Sequence, residues 1–303
     1  MTAERYLAQV QLLLRAIPEI AREKMFALKG GTAINLFVRN LPRLSVDIDL
    51  VYLPVANRDQ SLNDVRNGMD RVGERLERLG YAVGRQLVAD GKRLIVYEGT
   101  NAIKIEVSPV LRGTVFEPQL LRVTPAVEDR FGFAEMTVVS MADLYGGKIA
   151  AALDRQHPRD LFDVHFLLEK EGIDENLFRA FLIYLVSHNR PAVELLDPHF
   201  QDLEPQYDAD FVGMTVEDVP LDVLVRTRER LVAEIQKRVK AADSKRFLLS
   251  FQQQEPDWAA IGFDSKIAEL PAICWKLVNL DRLATKDPEK FHKEFDRLKD
   301  FLG

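Results

Sequence analysis

The chain has 303 residues, 47% hydrophobic and 29% charged, a composition that suits a soluble globular protein long enough for two cores of ordinary size. Its net charge of −6 argues against broad coating of nucleic acid through phosphate neutralisation; residues 1–150 carry 20 Lys and Arg against 18 Asp and Glu, so any polynucleotide contact is expected in that half. No run of about 18 apolar residues could span a bilayer, the first residues lack a secretory pattern and the single Cys274 cannot form an internal disulfide, so a cytoplasmic protein with no membrane partner is expected.

In chain order, Leu7, Val10, Leu13, Leu14 and Ile17 recur at helical spacing across residues 3–24, with Pro18 expected to kink or break the helix near its end. MFALKGG reads as a short strand ending in paired glycines, after which Thr32 can cap a helix reaching about Arg39. Residues 45–53 alternate, placing Val46, Ile48 and Leu50 on one side of a strand and Asp47 and Asp49 on the other. A long amphipathic helix is expected from Arg58 to Leu79, ended by Gly80, and strands at 81–88, 93–98 and 102–108 separated by DGK and GTN turns. From Met141 the pattern turns helical, with helices in MADLYGGKIAAALDR and PRDLFDVHFLLEKEG and further ones near 174–188, 219–240, 243–254, 265–279 and 288–301; residues 191–215 read as loop-rich. Cys274, within PAICWKL, is expected to pack in a core as a small apolar thiol. The outcome is an α+β, bilobal protein: a mixed sheet with helices over residues 1–135, followed by a mainly α-helical lobe over 136–303.

The chemistry is concentrated in GGTAINLFVRNLPRLSVDIDL, residues 30–50. Paired glycines after a strand let the backbone approach a ligand closely, and amides opening the next helix suit an anionic phosphate. An Asp-x-Asp on a strand projects both carboxylates from one face, which can hold hard cations that require oxygen ligands. Each piece alone is weak, since Gly-Gly-Thr is commonly a turn and Asp-x-Asp a solvated strand face. On a neighbouring strand, IKIEVSP places Glu106 on the same face as Lys104, either as a further ligand or as a surface pair. The second cluster, GGKIAAALDRQHPRDLFDVHFLL, brings Lys148 close in sequence to Arg159, Asp160 and Asp163; Lys148 can reach a triphosphate, or the group can be solvated with Asp160 serving a helix N-terminus. His157 and His165 match no zinc spacing, and P-loop, GxSxG and GxGxxG motifs are lacking in a credible context.

The order Gly-Gly-Thr, helix, Arg-Leu-Ser-Val-Asp-Ile-Asp-Leu resembles the nucleotidyltransferases of the DNA polymerase β superfamily, and specifically the AbiEii/AbiGii toxin family with its MenT members. The resemblance covers roughly residues 24–170. It implies that Gly30, Gly31 and Thr32 form the phosphate turn, that Arg43 and Ser45 occupy the basic and hydroxyl positions before the pair, and that Asp47, Asp49 and Glu106 bind Mg²⁺ or Mn²⁺. It also implies that Lys148 contacts NTP phosphates, that Asp160 (or Asp163) assists the chemistry, and that the helical lobe completes the cleft. The implied reaction moves an NMP from an NTP to an acceptor hydroxyl, with tRNA the leading acceptor and an antitoxin protein a possible partner. The rivals are nucleotidyl or phosphoryl transfer to protein, with self-modification at Ser45 as one symptom, and a catalytically silent module that binds a partner.

Overall fold

The computed structural model describes residues 3–88, 91–108 and 112–303. The chain divides into two compact units, Met1–Leu144 with Gly213–Asp218, and Tyr145–Val212 with Val219–Gly303. The first is built on a seven-stranded mixed sheet and the second is helical, so the α+β class implied by the sequence is the one observed.

In the first unit, α1 (Ala3–Ala21) buries Val10, Leu13, Leu14 and Ile17, as its spacing requires. The expected break at Pro18 does not occur: the proline falls in the last turn and the helix continues to Ala21. Strand β1 (Phe26–Lys29) enters a single helical turn, α2 (Gly30–Thr32), which runs on as a π-helix over Ala33–Val38. Thr32 is therefore inside the helical segment and does not cap it; Lys29 holds the flanking position. Strand β2 (Asp47–Tyr52) follows, then α3 (Arg58–Arg78), whose first turn is capped by Asn57 accepting from the Gln60 amide. Gly80, at φ 92°, takes the left-handed backbone that turns the chain into β3 (Ala82–Val88). Strands β4 (Gly91–Glu98) and β5 (Asn101–Val107) complete the expected meander, although Asp90 of the DGK turn lies outside the described residues.

Strand β6 (Gln119–Arg122), helix α4 (Pro125–Phe131) and strand β7 (Glu135–Val138) were not anticipated from the sequence. The sheet order is β3-β4-β5-β2-β1-β7-β6, with β2 parallel to β5, β1 parallel to β7, and the other neighbours antiparallel. Ile48, Leu50, Leu94, Val96, Ile103 and Ile105 are buried on one face, which α1 and α3 cover. Strand alternation sends Asp47, Asp49, Arg93, Lys104 and Glu106 to the other. The segment Gly213–Asp218 returns to this unit and pairs with the loop before β2, through Leu44 N donating to Met214 O at 2.8 Å and Val216 N to Pro42 O at 3.0 Å.

The division between the units falls within α5 (Met141–Arg155), after Leu144, and β7 belongs to the sheet of the first unit. The second unit continues with α6 (Pro158–Lys170), α7 (Glu175–Val186), α8 (Ala192–Leu196), α9 (Glu204–Asp210), α10 (Leu221–Val239), α11 (Ala242–Gln252), α12 (Pro271–Lys286) and α13 (Pro288–Leu302). The stretch expected to be loop-rich thus holds two short helices, α8 and α9. Cys274 is exposed on α12, not packed in a core; Ile273 and Leu280 take the buried side, and the next position lies about 100° around the helix. No helix among the described residues is long and apolar enough to cross a membrane.

Candidate active site

The polar face of the sheet is organised by register. Lys29 of β1 stands opposite Asp49 of β2, Asp49 opposite Glu106 of β5, and Glu106 opposite Arg93 of β4, giving one row across four strands. One step along, Asp47 stands opposite Lys104. Two-residue periodicity thus puts Asp47 and Asp49 on one face, as their spacing requires. Glu106 joins them there.

The glycine turn presses against this row. A Cβ on Gly30 would lie 2.7 Å from Asp49 Oδ2, and Gly30 has φ 76°, so both space and backbone exclude a side chain. A Cβ on Gly31 would lie 2.7 Å from Arg43 Nη2 and 2.9 Å from Ser45 Oγ, so its absence lets the guanidinium and hydroxyl close over the turn. Arg43 is buried and donates through Nη1 to Leu44 O at 2.9 Å. Thr32, also buried, donates to Asp47 O at 2.5 Å and lies 3.1 Å from Ser45 Oγ. Its hydroxyl ties the helical turn to the start of β2, fixing the backbone that carries the two aspartates. Gly30, Gly31, Thr32, Arg43, Ser45, Asp47 and Asp49 are therefore brought together by local folding.

The electrostatics separate the three carboxylates. Burial raises the Asp49 pKa, opposed by Lys29 and reinforced by the charges of Asp47 and Glu106. Burial also works against charge on Glu106, but Lys104 and Arg93 outweigh it and hold the carboxyl below its usual range. Glu106 receives Lys104 Nζ at 3.0 Å and Arg93 Nε at 2.8 Å, while Lys104 Nζ also lies 3.6 Å from Asp47 Oδ2. Among the described residues, no three His, Cys, Asp or Glu side chains converge on a common ion position. Glu106, expected as a third ligand, stands opposite Asp49 with its oxygens on Lys104 and Arg93. Asp47 and Asp49 supply oxygen donors from one face, a set that fits a hard divalent cation, because Mg²⁺ commonly takes one or two protein carboxylates and completes its shell with water and phosphate.

The second cluster lies in the second unit. Lys148 on α5 is 8% exposed and donates to Asp160 Oδ1 at 2.8 Å, with Asp163 Oδ2 at 3.1 Å. Asp160 and Asp163 are three apart on α6 and so share a face, while Arg155, seven residues after Lys148, reaches Asp160 Oδ2 at 2.6 Å. Burial disfavours charge on Asp160, but Lys148 and Arg155 overcome it and hold the carboxyl well below the usual range. The solvated-surface alternative for Lys148 is excluded by its burial. The N-terminus of α6 is served by His157, whose Nδ1 accepts from the Arg159 amide at 3.1 Å, so capping falls to a histidine rather than to Asp160. Arg159 is exposed. Gly146 and Gly147 let α7 approach closely, since a Cβ on Gly146 would lie 2.9 Å from Phe181 N.

Sequence reasoning missed Lys29, Arg93 and Arg155 as charged neighbours of these carboxylates. Strand alternation and helical spacing carried the signal, but only once the cross-strand register is known.

Comparison with known proteins bears on this geometry. Curated proteins give no match. Among solved structures, MenT4, a nucleotidyltransferase toxin from Mycobacterium tuberculosis H37Rv, matches at 19% identity over 92% of this chain and 95% of its own, with a TM-score of 0.59, and so shares the fold. The family model for the AbiEii nucleotidyl transferase toxin of type IV toxin-antitoxin systems matches residues 11–277, a span that holds the glycine turn, the paired aspartates and the buried lysine cluster. The chain belongs to the AbiEii family of nucleotidyltransferase toxins.

Proposed function

We propose that the protein transfers an NMP from an NTP to an acceptor hydroxyl, using Mg²⁺ or Mn²⁺ held by Asp47 and Asp49. The observation that carries this reading is the fit of Gly30 against Asp49 Oδ2, which sets the glycine turn directly beside two carboxylates on one strand face. Gly31, Arg43 and Ser45 bind and orient the triphosphate, and Thr32 holds Asp47 in place through its backbone. When bound, the divalent cation supplies Lewis-acid activation of the attacking oxygen and neutralises the charge on the leaving pyrophosphate. The acceptor oxygen bonds to the α-phosphorus as the bond to pyrophosphate breaks, and the hydroxyl proton passes to solvent.

Lys148 is assigned to the NTP phosphates. Asp160 and Asp163 act as positioning residues that hold its ammonium, and Asp160, kept ionised by Lys148 and Arg155, is a poor proton acceptor. The acceptor assignment, tRNA, and the existence of an antitoxin partner rest on family resemblance. The test incubates purified protein with each labelled NTP, Mg²⁺ or Mn²⁺ and total tRNA, and asks what becomes labelled. Label in tRNA that is lost in Asp47→Asn supports the reading. Label on the protein, resolved by intact mass into nucleotidyl or phosphoryl groups, moves it to protein modification. No label in any fraction leaves the fold with a binding role only.

A further inference from the structure

Lys104 occupies an unusual position for an ammonium in a site built on carboxylates. It projects from β5 directly opposite Asp47, 3.6 Å from Asp47 Oδ2 and 3.0 Å from Glu106 Oε1, and so bridges the first aspartate of the pair to the glutamate on the neighbouring strand. A lysine ammonium is charged at neutral pH, and here its partners are the carboxylates of Asp47 and Glu106. Across the two register rows of this face, the carboxylates Asp47, Asp49 and Glu106 stand against the cations Lys29, Arg93 and Lys104. Without Lys104, three carboxylates would share the face with two cations.

We propose that Lys104 is an internal counter-ion of the catalytic site, competing with the divalent cation for Asp47 and thereby setting the affinity of the empty protein for metal. Glu106 is the other half of the device. Arg93 anchors Glu106 at 2.7 Å through Nη2, so Glu106 retains one cation and can keep Lys104 when Asp47 is given up. The Lys104 side chain is 30% exposed, leaving it room to swing without unpacking the core. A consequence is that metal binds weakly by itself and tightly only with the triphosphate, whose negative charge favours the incoming cation and offers Lys104 a second partner. This inference rests on the metal-dependent reading above.

The test measures Mn²⁺ binding without nucleotide, by calorimetry or electron paramagnetic resonance, on the full chain and on Lys104→Met, Lys104→Arg and Asp47→Asn. Lys104→Met, of similar length and no charge, is expected to bind Mn²⁺ about tenfold more tightly, the scale of one modest charge interaction. Lys104→Arg retains the competing charge and is expected to stay within about threefold of the parent. Circular dichroism verifies folding of each variant. Unchanged or weaker binding by folded Lys104→Met, with the parent binding and Asp47→Asn not, overturns the counter-ion role and leaves the metal site standing. Binding by Lys104→Met where the parent shows none supports the role in its strongest form. Absence of binding in both parent and Lys104→Met without nucleotide overturns this inference, and if the same titration with a non-hydrolysable NTP also shows none, the metal reading falls with it.

Discussion

Asp49 and Glu106 stand opposite each other across the parallel pairing of β2 with β5, yet their ionisation is driven in opposite directions. Glu106 is held charged by Lys104 and Arg93, whereas burial and the neighbouring carboxylates push Asp49 toward its neutral form. A site of this kind gains from a cation at Asp49 more than at Glu106. Asp49→Asn and Asp47→Asn are therefore expected to lower transfer by at least ~100-fold, taking the loss from an outer-shell partner as a floor. Both variants should remain folded by circular dichroism, because neither carboxylate supports the apolar face. Turnover within tenfold of the parent in either variant would remove the paired aspartates from the mechanism.

Gly30 and Gly80 both have φ in the left-handed region, but only Gly30 abuts a functional group. Alanine at either position costs about 1 kcal/mol of stability through backbone strain. Gly30→Ala should in addition displace the Asp49 carboxylate, since its Cβ would stand 2.7 Å from Oδ2. Transfer should drop by an order of magnitude or more in Gly30→Ala and stay near the parent in Gly80→Ala, where nothing lies within 4 Å. Equal activity in the two variants would separate the turn from the site.

The contrast between these glycines also marks how far sequence reasoning reaches. Asp47 and Asp49 were placed on one face, and the glycine turn beside them, because two-residue alternation and a strand-glycine-helix order are local properties. The meander and most helices followed from periodicity for the same reason. Strands β6 and β7 were not legible: each has four residues, too few to show a period, and QLLR is mostly exposed at the sheet edge. Helix α4 did carry a readable signal in Thr124-Pro125 at its start and Gly132 at its end. What local pattern could not supply was register. Only the pairing of β2 with β5 reveals that Lys104 faces Asp47, and only the packing of α5 on α6 turns Lys148 from a possible surface lysine into a buried ion-pair centre.

That burial makes Lys148 a demanding position to mutate. Lys148→Ala removes the cation shared by Asp160 and Asp163, each almost fully buried, and is expected to cost about 3–5 kcal/mol in denaturant unfolding. Lys148→Arg keeps the charge and should recover most of the stability, while its larger, planar head group changes the geometry offered to a phosphate. If Lys148 contacts the triphosphate, Lys148→Arg is stable but binds NTP several-fold more weakly. Parent-like NTP affinity in a stable Lys148→Arg would confine Lys148 to a structural role.

Asp160 permits a test by pH. Its carboxyl is held well below the ordinary range by Lys148 and Arg155, so the unfolded chain takes up this proton before the folded one does. The associated stability is fully present above the unfolded value of about 4 and is lost as pH falls from there toward the depressed folded value. Asp160→Asn has no such proton to bind. It should be less stable than the parent at pH 7, because Lys148 and Arg155 lose a charged partner, and the gap should narrow steadily as the pH is lowered below about 4. Asparagine retains an oxygen that can accept from Lys148, and Asp163 still neutralises the ammonium, so the protein should fold and its transfer activity should fall in step with weaker NTP binding. If turnover instead collapses at unchanged NTP affinity, Asp160 takes part in proton transfer and the positioning assignment is wrong. A stability gap independent of pH between 7 and 2 would show that the ion pairs contribute nothing that protonation can remove.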